Sequence, residues 1–372
     1  MKTRLLMLVS LFALAMMDVH VSAQSRRFPF IPIGAVYTTS NAVEGNAVLV
    51  FDRSFDGRLR QAGAVPTGGL GTGSGLGNQG GLVLSQNERW LLAVNAGSDD
   101  LSVFRLGHHE LRLTDRAATG GSRPISVTIN RDLVYVLNAG SETITGFTLT
   151  RRGELQPLAN STRSLSGSGV DPAQIGFSPD GDFLIVTEKA TNNIVVYAVD
   201  RCGVPGEPHV QPSAGATPFG FAFDRRDQLF VSEAFGGAEG ESAVSSYTLE
   251  ADGMLGAVSE SVGTNQTAAC WVALTPDGRF AYTTNTGSGS ITGYAVDSMG
   301  ALTRLQEDGV TATTGDGSSP IDLALTRRGT FLYALGSGTQ TVSAFFVGRD
   351  GTLRALPGVS GLPMSANGLA VR

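Results

Sequence analysis

The amino-acid sequence predicts an all-β fold made of one unit that repeats along most of the chain. Alternating polar and apolar residues, the pattern typical of strands, recur in units spaced by roughly 50 residues. Gly supplies 49 of 372 residues, about twice the usual share of roughly 7%, which indicates many tight turns. No segment has the periodicity of an amphipathic helix.

The repeated unit consists of four strands that are joined by turns and by one Gly/Ser-rich loop. It is clearest at 177–200 and 274–297, where a Pro-Asp-Gly turn precedes an apolar strand. Related segments occur at 84–106, 129–149, 223–249 and 325–347. Four strands per unit in radial repetition are typical of β-propellers. The sequence therefore predicts a seven-bladed β-propeller of four-stranded blades.

The two ends of the repeat region predict how the ring closes. The first unit begins at 34–40, which matches the second strand of a blade and lacks an innermost strand before it. Residues 366–371 match an innermost strand that has no blade of its own. We expect the C-terminal strand to complete the N-terminal blade, because this pairing hides two strand edges. Residues 34–372 then form a single domain.

The N-terminus has the three parts of a secretory signal peptide. Lys2 and Arg4 precede an apolar stretch at 5–17, and Val21-Ser22-Ala23 offers a small-residue cleavage site. The stretch is shorter than the roughly 20 residues that span a bilayer. We expect 1–23 to be removed, 24–33 to form an N-terminal extension, and the mature protein to be secreted or periplasmic without membrane insertion.

Charge and composition exclude several classes of partner and chemistry. The formal net charge is −6 and no Lys/Arg runs occur, so a nucleic-acid partner is not expected. The histidines fall in the signal segment (His20), in a turn of blade 2 (His108, His109) or in an outer strand (His209). They therefore lie away from the expected site, which disfavours His-based nucleophilic or metal chemistry. We expect no cofactor and no metal.

The order of the strands assigns each loop to a face of the ring. With strands A to D counted from the axis outward, the B–C and D–A loops lie on one face, here the first face. The A–B and C–D turns lie on the second face, and they contain the Asp-Gly pairs at 56–57, 180–181, 252–253, 277–278 and 350–351. Irregular Gly-rich loops gather on the first face, so we expect the functional site there.

Cys202 and Cys270 fall on opposite faces, so we expect no disulfide bond.

The residues that end the B strands should form a ring on the first face. They are Ser40, Asn95, Asn138, Glu188, Glu233, Asn285 and Gly336. Glu188 and Glu233 stand in consecutive blades, and two inward carboxylates can hold a water for general-base attack. We therefore predict that both are catalytic. The alternative is that both are ordinary strand-end residues and that Lys189 pairs with Glu188.

Six further side chains on this face are predicted to bind substrate. They are Lys189, Arg123, Asn138, Asn285, Gln174 and Trp271. Lys189 or Arg123 would stabilise a developing oxyanion.

The Gly-rich segment 66–81 contains a formal Gly-x-Gly-x-x-Gly motif. A strand follows it in place of the helix whose N-terminus would bind a pyrophosphate, so the motif does not indicate a dinucleotide site. We expect this segment to cover the mouth of the central channel.

The repeat phrases Ser178-Pro179-Asp180-Gly181 and Thr275-Pro276-Asp277-Gly278 are similar to those of the lactonase-type seven-bladed propellers. This family includes propeller 6-phosphogluconolactonases and carboxymuconate cyclases, and the resemblance covers about residues 34–372. It implies that a lactone is opened or formed in a polar funnel by Glu, Arg and His side chains, with Glu188 and Glu233 in the carboxylate places. The Pro-His that family members often carry at an A-strand entry is absent: this sequence has Pro124-Ile125, Pro172-Ala173, Pro218-Phe219 and Pro320-Ile321.

These observations lead to one expected function and one alternative. We expect an exported, monomeric hydrolase of the carboxylic-ester class that opens a small lactone with carboxylate-activated water. Few basic side chains stand at the funnel, which favours a non-phosphorylated substrate. The alternative is a non-catalytic propeller that binds a carbohydrate-like ligand or a surface partner at the same funnel.

Overall fold

The computed structural model describes residues 29–107 and 110–372. The predicted signal peptide, the first half of the predicted extension (24–28), and His108 and His109 therefore lie outside the described residues. Ile31–Arg372 forms one compact unit. It consists of strands and one short 3₁₀ segment, Phe235–Gly237. No helix in the described part of the chain is long and apolar enough to cross a bilayer.

The strands follow one another in the order of the blades. Blade 1 has β1 to β3 (Pro32–Thr39, Ala47–Ser54, Leu59–Pro66), and blade 2 has β4 to β7 (Leu82–Leu84, Trp90–Asn95, Asp100–Leu106, Leu111–Ala118). Blade 3 has β8 to β12 (Pro124–Asn130, Leu133–Asn138, Thr143–Leu149, Leu155–Pro157, Arg163–Ser164), and blade 4 has β13 to β16 (Pro172–Phe177, Phe183–Glu188, Asn193–Ala198, His209–Pro212). Blade 5 has β17 to β20 (Pro218–Phe223, Gln228–Glu233, Ala243–Leu249, Leu255–Gly263), and blade 6 has β21 to β25 (Ala269–Leu274, Phe280–Asn285, Ser290–Val296, Leu302–Arg304, Ala312–Thr313). Blade 7 has β26 to β29 (Pro320–Leu325, Phe331–Gly336, Thr341–Val347, Leu353–Ser360), and the last strand is β30 (Asn367–Val371).

Seven antiparallel sheets confirm the predicted propeller and its closure. Consecutive strands pair within each blade, and the sheet of blade 1 has the order β3-β2-β1-β30. Val36 pairs with Val371 and Tyr37 with Ala370, so the C-terminal strand is the innermost strand of the first blade. The outermost strand of blades 3 and 6 is interrupted, since β11 and β12 pair with β10, and β24 and β25 pair with β23.

Burial explains why the strands carry so few charges. Every residue of the B strands β5, β18, β22 and β27 is buried, because neighbouring blades cover both faces of each sheet. Most positions of the outermost strands β3 and β29 are exposed or half-buried. Charged residues, which are rarely buried without a partner, are accordingly only 16% of the chain.

Glycines in the C–D turns pack against aromatic side chains in the B strand of the preceding blade. Gly57 has φ +84°, and a Cβ there would come within 2.5 Å of the Phe331 ring, in the B strand of blade 7. Tyr333 of the same strand donates from Oη to the Gly57 carbonyl over 2.8 Å. Gly351 is placed in the same way, against Phe280 and the Tyr282 hydroxyl. The Asp-Gly turns therefore have a structural role, since only glycine adopts this backbone without strain and leaves room for the ring.

Candidate functional site

The first-face end of the central channel is filled by a segment of the chain itself. Leu76–Gly80, here called the plug, precedes the innermost strand of blade 2, and Leu76 and Asn78 are buried. The Gln79 side chain donates from Nε2 to the carbonyl of Val272 over 2.9 Å and accepts from the Val272 N–H over 3.1 Å. The plug thus reaches across the axis to blade 6, as expected for a loop that covers the channel mouth.

Other blades hold the plug through its backbone. The Gln79 N–H donates to the Ala173 carbonyl in blade 4 over 3.2 Å, and the Val127 N–H of blade 3 donates to the Gly80 carbonyl over 2.9 Å. Trp271 of blade 6 donates from its indole Nε1 to the Asn78 carbonyl over 2.8 Å. Trp271, which was predicted to bind substrate, therefore fixes the plug.

Gln174 joins two innermost strands with the same pair of side-chain hydrogen bonds that Gln79 makes to Val272. It donates from Nε2 to the Phe221 carbonyl over 3.1 Å and accepts from the Phe221 N–H over 2.7 Å, so it joins blade 4 to blade 5.

Below the plug, Gln79, Gln174 and the buried Asp322 line an inner cavity of about 250 Å³. Burial raises the pKa of Asp322 to about 8, although the N–H groups of Leu323 and Leu369 act to lower it.

Glu188 anchors the loop that leads into its own blade. Its side chain is fully buried (0% exposed). It accepts hydrogen bonds from the N–H of Ser166 over 2.9 Å, from the Ser166 hydroxyl, and from Thr191 Oγ1 over 2.8 Å. This hydroxyl-rich set of donors leaves the carboxylate enclosed beneath the loop.

Glu233 occupies the equivalent place one blade further on and is also fully buried. Ser245 and Ser261 each donate a hydroxyl hydrogen bond of 2.6 Å, and the Gly215 N–H donates over 2.8 Å. Burial raises the pKa of Glu233, while these donors act to lower it. Glu188 and Glu233 share no hydrogen-bond partner in the described structure, so their joint action on one water stays a prediction.

The asparagines of the same ring close the B–C loops. Asn138 donates from Nδ2 to Thr145 Oγ1 over 3.1 Å, and Asn285 donates to Thr292 Oγ1 over 2.9 Å. Both side chains are fully buried. The ring of B-strand ends therefore lies under the loops of the first face and supports them.

An ion pair with one buried and one exposed partner lies beside the plug. Lys189 Nζ is 3.3 Å from Asp171 Oδ1, and the Lys189 side chain is 11% exposed while that of Asp171 is 65% exposed. Nζ also donates to the Gly77 carbonyl over 2.8 Å and lies 4.9 Å from the centre of the Phe219 ring. Burial lowers the pKa of Lys189, and Asp171 opposes this effect. The alternative interpretation had Lys189 paired with Glu188, and that part of it is wrong, because the ion-pair partner of Lys189 is Asp171.

Arg123 stands at the same rim position as Asp171, one blade earlier. Each precedes the first strand of its blade, and each has a positive φ, +51° and +47°. Thr217, Ala268 and Ser319 have the same conformation in three further blades. In each case the carbonyl accepts from the residue after the B strand, for example from Lys189 N to Asp171 O over 3.1 Å. Because the positive φ recurs in five blades, it is a regular feature of how each innermost strand begins. At these positions the side chains of Arg123 and Asp171 are exposed at the rim.

Asp171 was not among the side chains predicted to be catalytic or to bind substrate. The strand register brings it to the site, because Pro172 pairs with Glu188 across the sheet and the residue before Pro172 therefore lies beside Lys189. We call Asp171, Lys189 and Arg123 the rim cluster. Arg123 is included because it stands at the equivalent rim position one blade earlier, and its charge acts to lower the pKa of Lys189.

Within the described residues, the cysteines and the potential metal ligands do not form a second candidate site. Cys202 and Cys270 are both free, as predicted. Burial raises the pKa of Cys270 to about 12, so its thiol is protonated at neutral pH. No group of three or more His, Cys, Asp or Glu side chains that could hold a metal ion occurs within 29–107 and 110–372.

The seven sheets define the protein as a seven-bladed β-propeller. The family model described as lactonase, 7-bladed β-propeller, matches residues 44–170, 161–267 and 239–360. The chain therefore belongs to this family. No curated protein sequence matches the chain.

Solved structures with the same fold come from several organisms. The periplasmic gluconolactonase PpgL of Pseudomonas aeruginosa is 18% identical with a TM-score of 0.70, over 91% of this chain and 98% of that one. A protein from Lactobacillus plantarum is 18% identical with a TM-score of 0.72, over 92% and 100%. The virginiamycin B lyase of Staphylococcus aureus is 13% identical with a TM-score of 0.54, over 76% and 85%. At these identities the likeness shows the fold alone.

Proposed function

We propose that the protein is an exported hydrolase that opens small, non-phosphorylated lactones at the rim cluster. The observation that carries the proposal is the Asp171–Lys189 pair. A carboxylate that water can reach lies 3.3 Å from an ammonium group that is largely buried. Membership of the lactonase family and the signal-like N-terminus support the reaction class and the export.

In the proposed reaction, two members of the rim cluster, Asp171 and Lys189, take part in the chemical steps. Asp171 takes a proton from water, and the hydroxide adds to the lactone carbonyl carbon. Lys189 donates a hydrogen bond to the resulting oxyanion, since an ammonium has three donors and two are directed at Gly77 and Asp171. The ring C–O bond then breaks, and the alkoxide takes the proton back from Asp171. The product is a hydroxy acid.

The charge of the rim cluster favours a substrate without a phosphate group. Lys189 and Arg123 supply two positive charges, and Asp171 cancels one of them within the ion pair. A phosphate monoester carries a charge of about −1.5 to −2 at neutral pH, which a single uncompensated cation does not balance. A neutral lactone needs only one donor for its developing oxyanion.

A panel of lactones tests this function directly. We expect the purified chain to open at least one neutral γ- or δ-lactone, as measured by proton release in a weakly buffered solution. We expect its phosphorylated counterpart to react at least about ten times more slowly, because about 1.4 kcal/mol of lost binding has that effect. Equal or faster turnover of the phosphorylated lactone would contradict the proposed substrate class.

The plug favours a second candidate function. Because it fills the first-face mouth of the channel, a ligand there meets a shallow surface, which also suits a non-catalytic module that binds a carbohydrate-like molecule. If no lactone in the panel is opened and a neutral sugar binds with an affinity that Arg123→Ala lowers, this second function is correct.

A further inference from the structure

The opposite end of the central channel opens into a cavity of about 770 Å³. Residues from six blades line it. Blades 2 to 7 contribute, in this order, Gln86, Asn130, Phe177, Phe223, Thr275 and Arg327. These residues lie at or just after the ends of the innermost strands, so the cavity lies on the axis at the second face. We call it the second-face funnel.

We propose that the second-face funnel binds small organic acids that carry several hydroxyl groups, such as aldonic acids. This inference does not depend on the proposed lactonase activity, because the rim cluster and the funnel lie at opposite ends of the channel. The charges of the funnel, its aromatic walls and its polar strand ends favour such a ligand.

The two acidic residues of the funnel are each neutralised by an arginine. Arg226 Nε is 2.9 Å from Asp224 Oδ2, and the Asp224 side chain is 2% exposed. Arg279 Nε is 2.7 Å from Asp277 Oδ2. Burial acts to raise the pKa of Asp277, but hydrogen bonds from Thr275 and Arg279 outweigh it and lower this pKa to about 2. Neither carboxylate therefore leaves a free negative charge in the funnel.

Two other arginines remain available to a ligand. Arg225 of blade 5 is exposed and lines the funnel. Arg327 of blade 7 is 77% exposed, and its ion-pair partner is Glu88 at 3.8 Å, a residue that Arg372 also contacts at 3.6 Å. The two guanidinium groups flank blade 6, and planar guanidinium groups bind carboxylates in a bidentate manner.

A neighbouring cavity of about 490 Å³ between blades 3 and 4 shares Asn130 and Phe177 with the second-face funnel. Its acidic residues are Asp132, Asp180, Asp182 and Asp200, and its basic residues are Arg131 and Arg201. They do not line the second-face funnel. Among the residues that line the second-face funnel itself, three arginines (Arg225, Arg226 and Arg327) stand against two aspartates (Asp224 and Asp277).

The walls of the funnel suit a polyhydroxylated chain. Phe177 and Phe223 are half-buried and present apolar surface for C–H groups. Tyr135 holds Phe177 edge-on at 5.9 Å between ring centres, and Phe221 holds Phe223 at 6.2 Å. The amides of Gln86 and Asn130 and the hydroxyl of Thr128 provide donors and acceptors for hydroxyl groups. Few directed polar groups within an apolar wall are typical of small-molecule sites.

Calorimetry with the full chain tests the proposal, with gluconate as the acidic probe and sorbitol as the neutral probe. We expect gluconate to bind at least ten times more tightly than sorbitol, and a variant with Arg225→Ala and Arg327→Ala to lose at least tenfold in gluconate affinity. Arg354→Ala is the matched control, because Arg354 lies on the outer strand β29 over the Phe346 ring. We expect this control to bind gluconate as the wild type does.

Three results would overturn the proposal. They are equal binding of gluconate and sorbitol, undetectable binding of gluconate at millimolar concentration, and unchanged gluconate affinity in the double arginine variant. If Lys189→Met loses gluconate binding while the double arginine variant keeps it, the acid binds at the rim cluster and the assignment to the second face is wrong. Thermal unfolding of each variant shows whether it is folded, so that a loss of fold is not read as a loss of binding.

Discussion

Asp171→Asn is expected to lower kcat/KM for the best lactone by about 100-fold or more, since general-base catalysis contributes on that order. Asparagine keeps the size of the side chain but cannot accept a proton from water. Because the Asp171 side chain is 65% exposed, the loss of its ion pair with Lys189 should cost at most about 1 kcal/mol of stability. Initial rates and thermal unfolding of the purified variant measure both effects.

Glu188→Gln and Glu233→Gln are the matched controls, because the sequence predicted these two carboxylates to be catalytic. Each accepts hydrogen bonds from hydroxyl and N–H groups under a loop. We expect both variants to be less stable, since a glutamine amide nitrogen cannot accept those bonds, and to keep kcat in the folded fraction. Full activity of Asp171→Asn, with activity abolished in both glutamine variants, would show that the catalytic carboxylates are Glu188 and Glu233.

Asp322→Asn is expected to stabilise the protein at pH 9 but not at pH 4. Asp322 is 4% exposed and lines the inner cavity, and burial raises its pKa to about 8. The folded-state pKa therefore lies above the unfolded value of about 3.9. The stability that the protonated carboxyl contributes is fully present below pH about 4 and is lost as the pH rises toward 8. Asparagine does not ionise and avoids this loss.

The size of this effect follows from the shift in pKa. About 1.4 kcal/mol per pKa unit gives an upper bound on the order of 5 kcal/mol for the difference between the two pH values. Tm measured from pH 4 to pH 9 for wild type and variant checks it. Asp350→Asn is the control, because hydrogen bonds from Thr352 lower the pKa of this exposed residue. A Tm difference between wild type and Asp322→Asn that stays constant with pH would contradict the account.

The ring could be predicted from the sequence because its signals are local. Alternation within strands, the Asp-Gly turns and the spacing of units each depend on a few neighbouring residues. The closure by β30 also followed from sequence, since 366–371 repeats the pattern of an innermost strand and blade 1 lacks one. The interruptions of the outermost strands in blades 3 and 6 carry no comparable signal.

The site was harder to predict because it depends on contacts between distant residues. Gln79 bonds to Val272, 193 residues away, and no local pattern indicates that partner. Glu188 and Glu233 were placed correctly at strand ends on the first face, but the serine-containing loops that enclose them could not be foreseen. Lys189 was recognised, and its partner Asp171 was not assigned, because the turn that presents Asp171 has a positive φ before a proline, which the sequence does not reveal.

A crystal structure with the lactam analogue of the best lactone shows whether lactones bind at the rim cluster. The ring amide of a lactam resists opening, so the complex should persist. We expect the lactam carbonyl oxygen to lie about 3 Å from Lys189 Nζ, the distance typical of an oxyanion donor, with the Asp171 carboxylate facing the carbonyl carbon. A lactam bound in the second-face funnel, or beside Glu188 or Glu233 and away from Lys189, would contradict the proposed site.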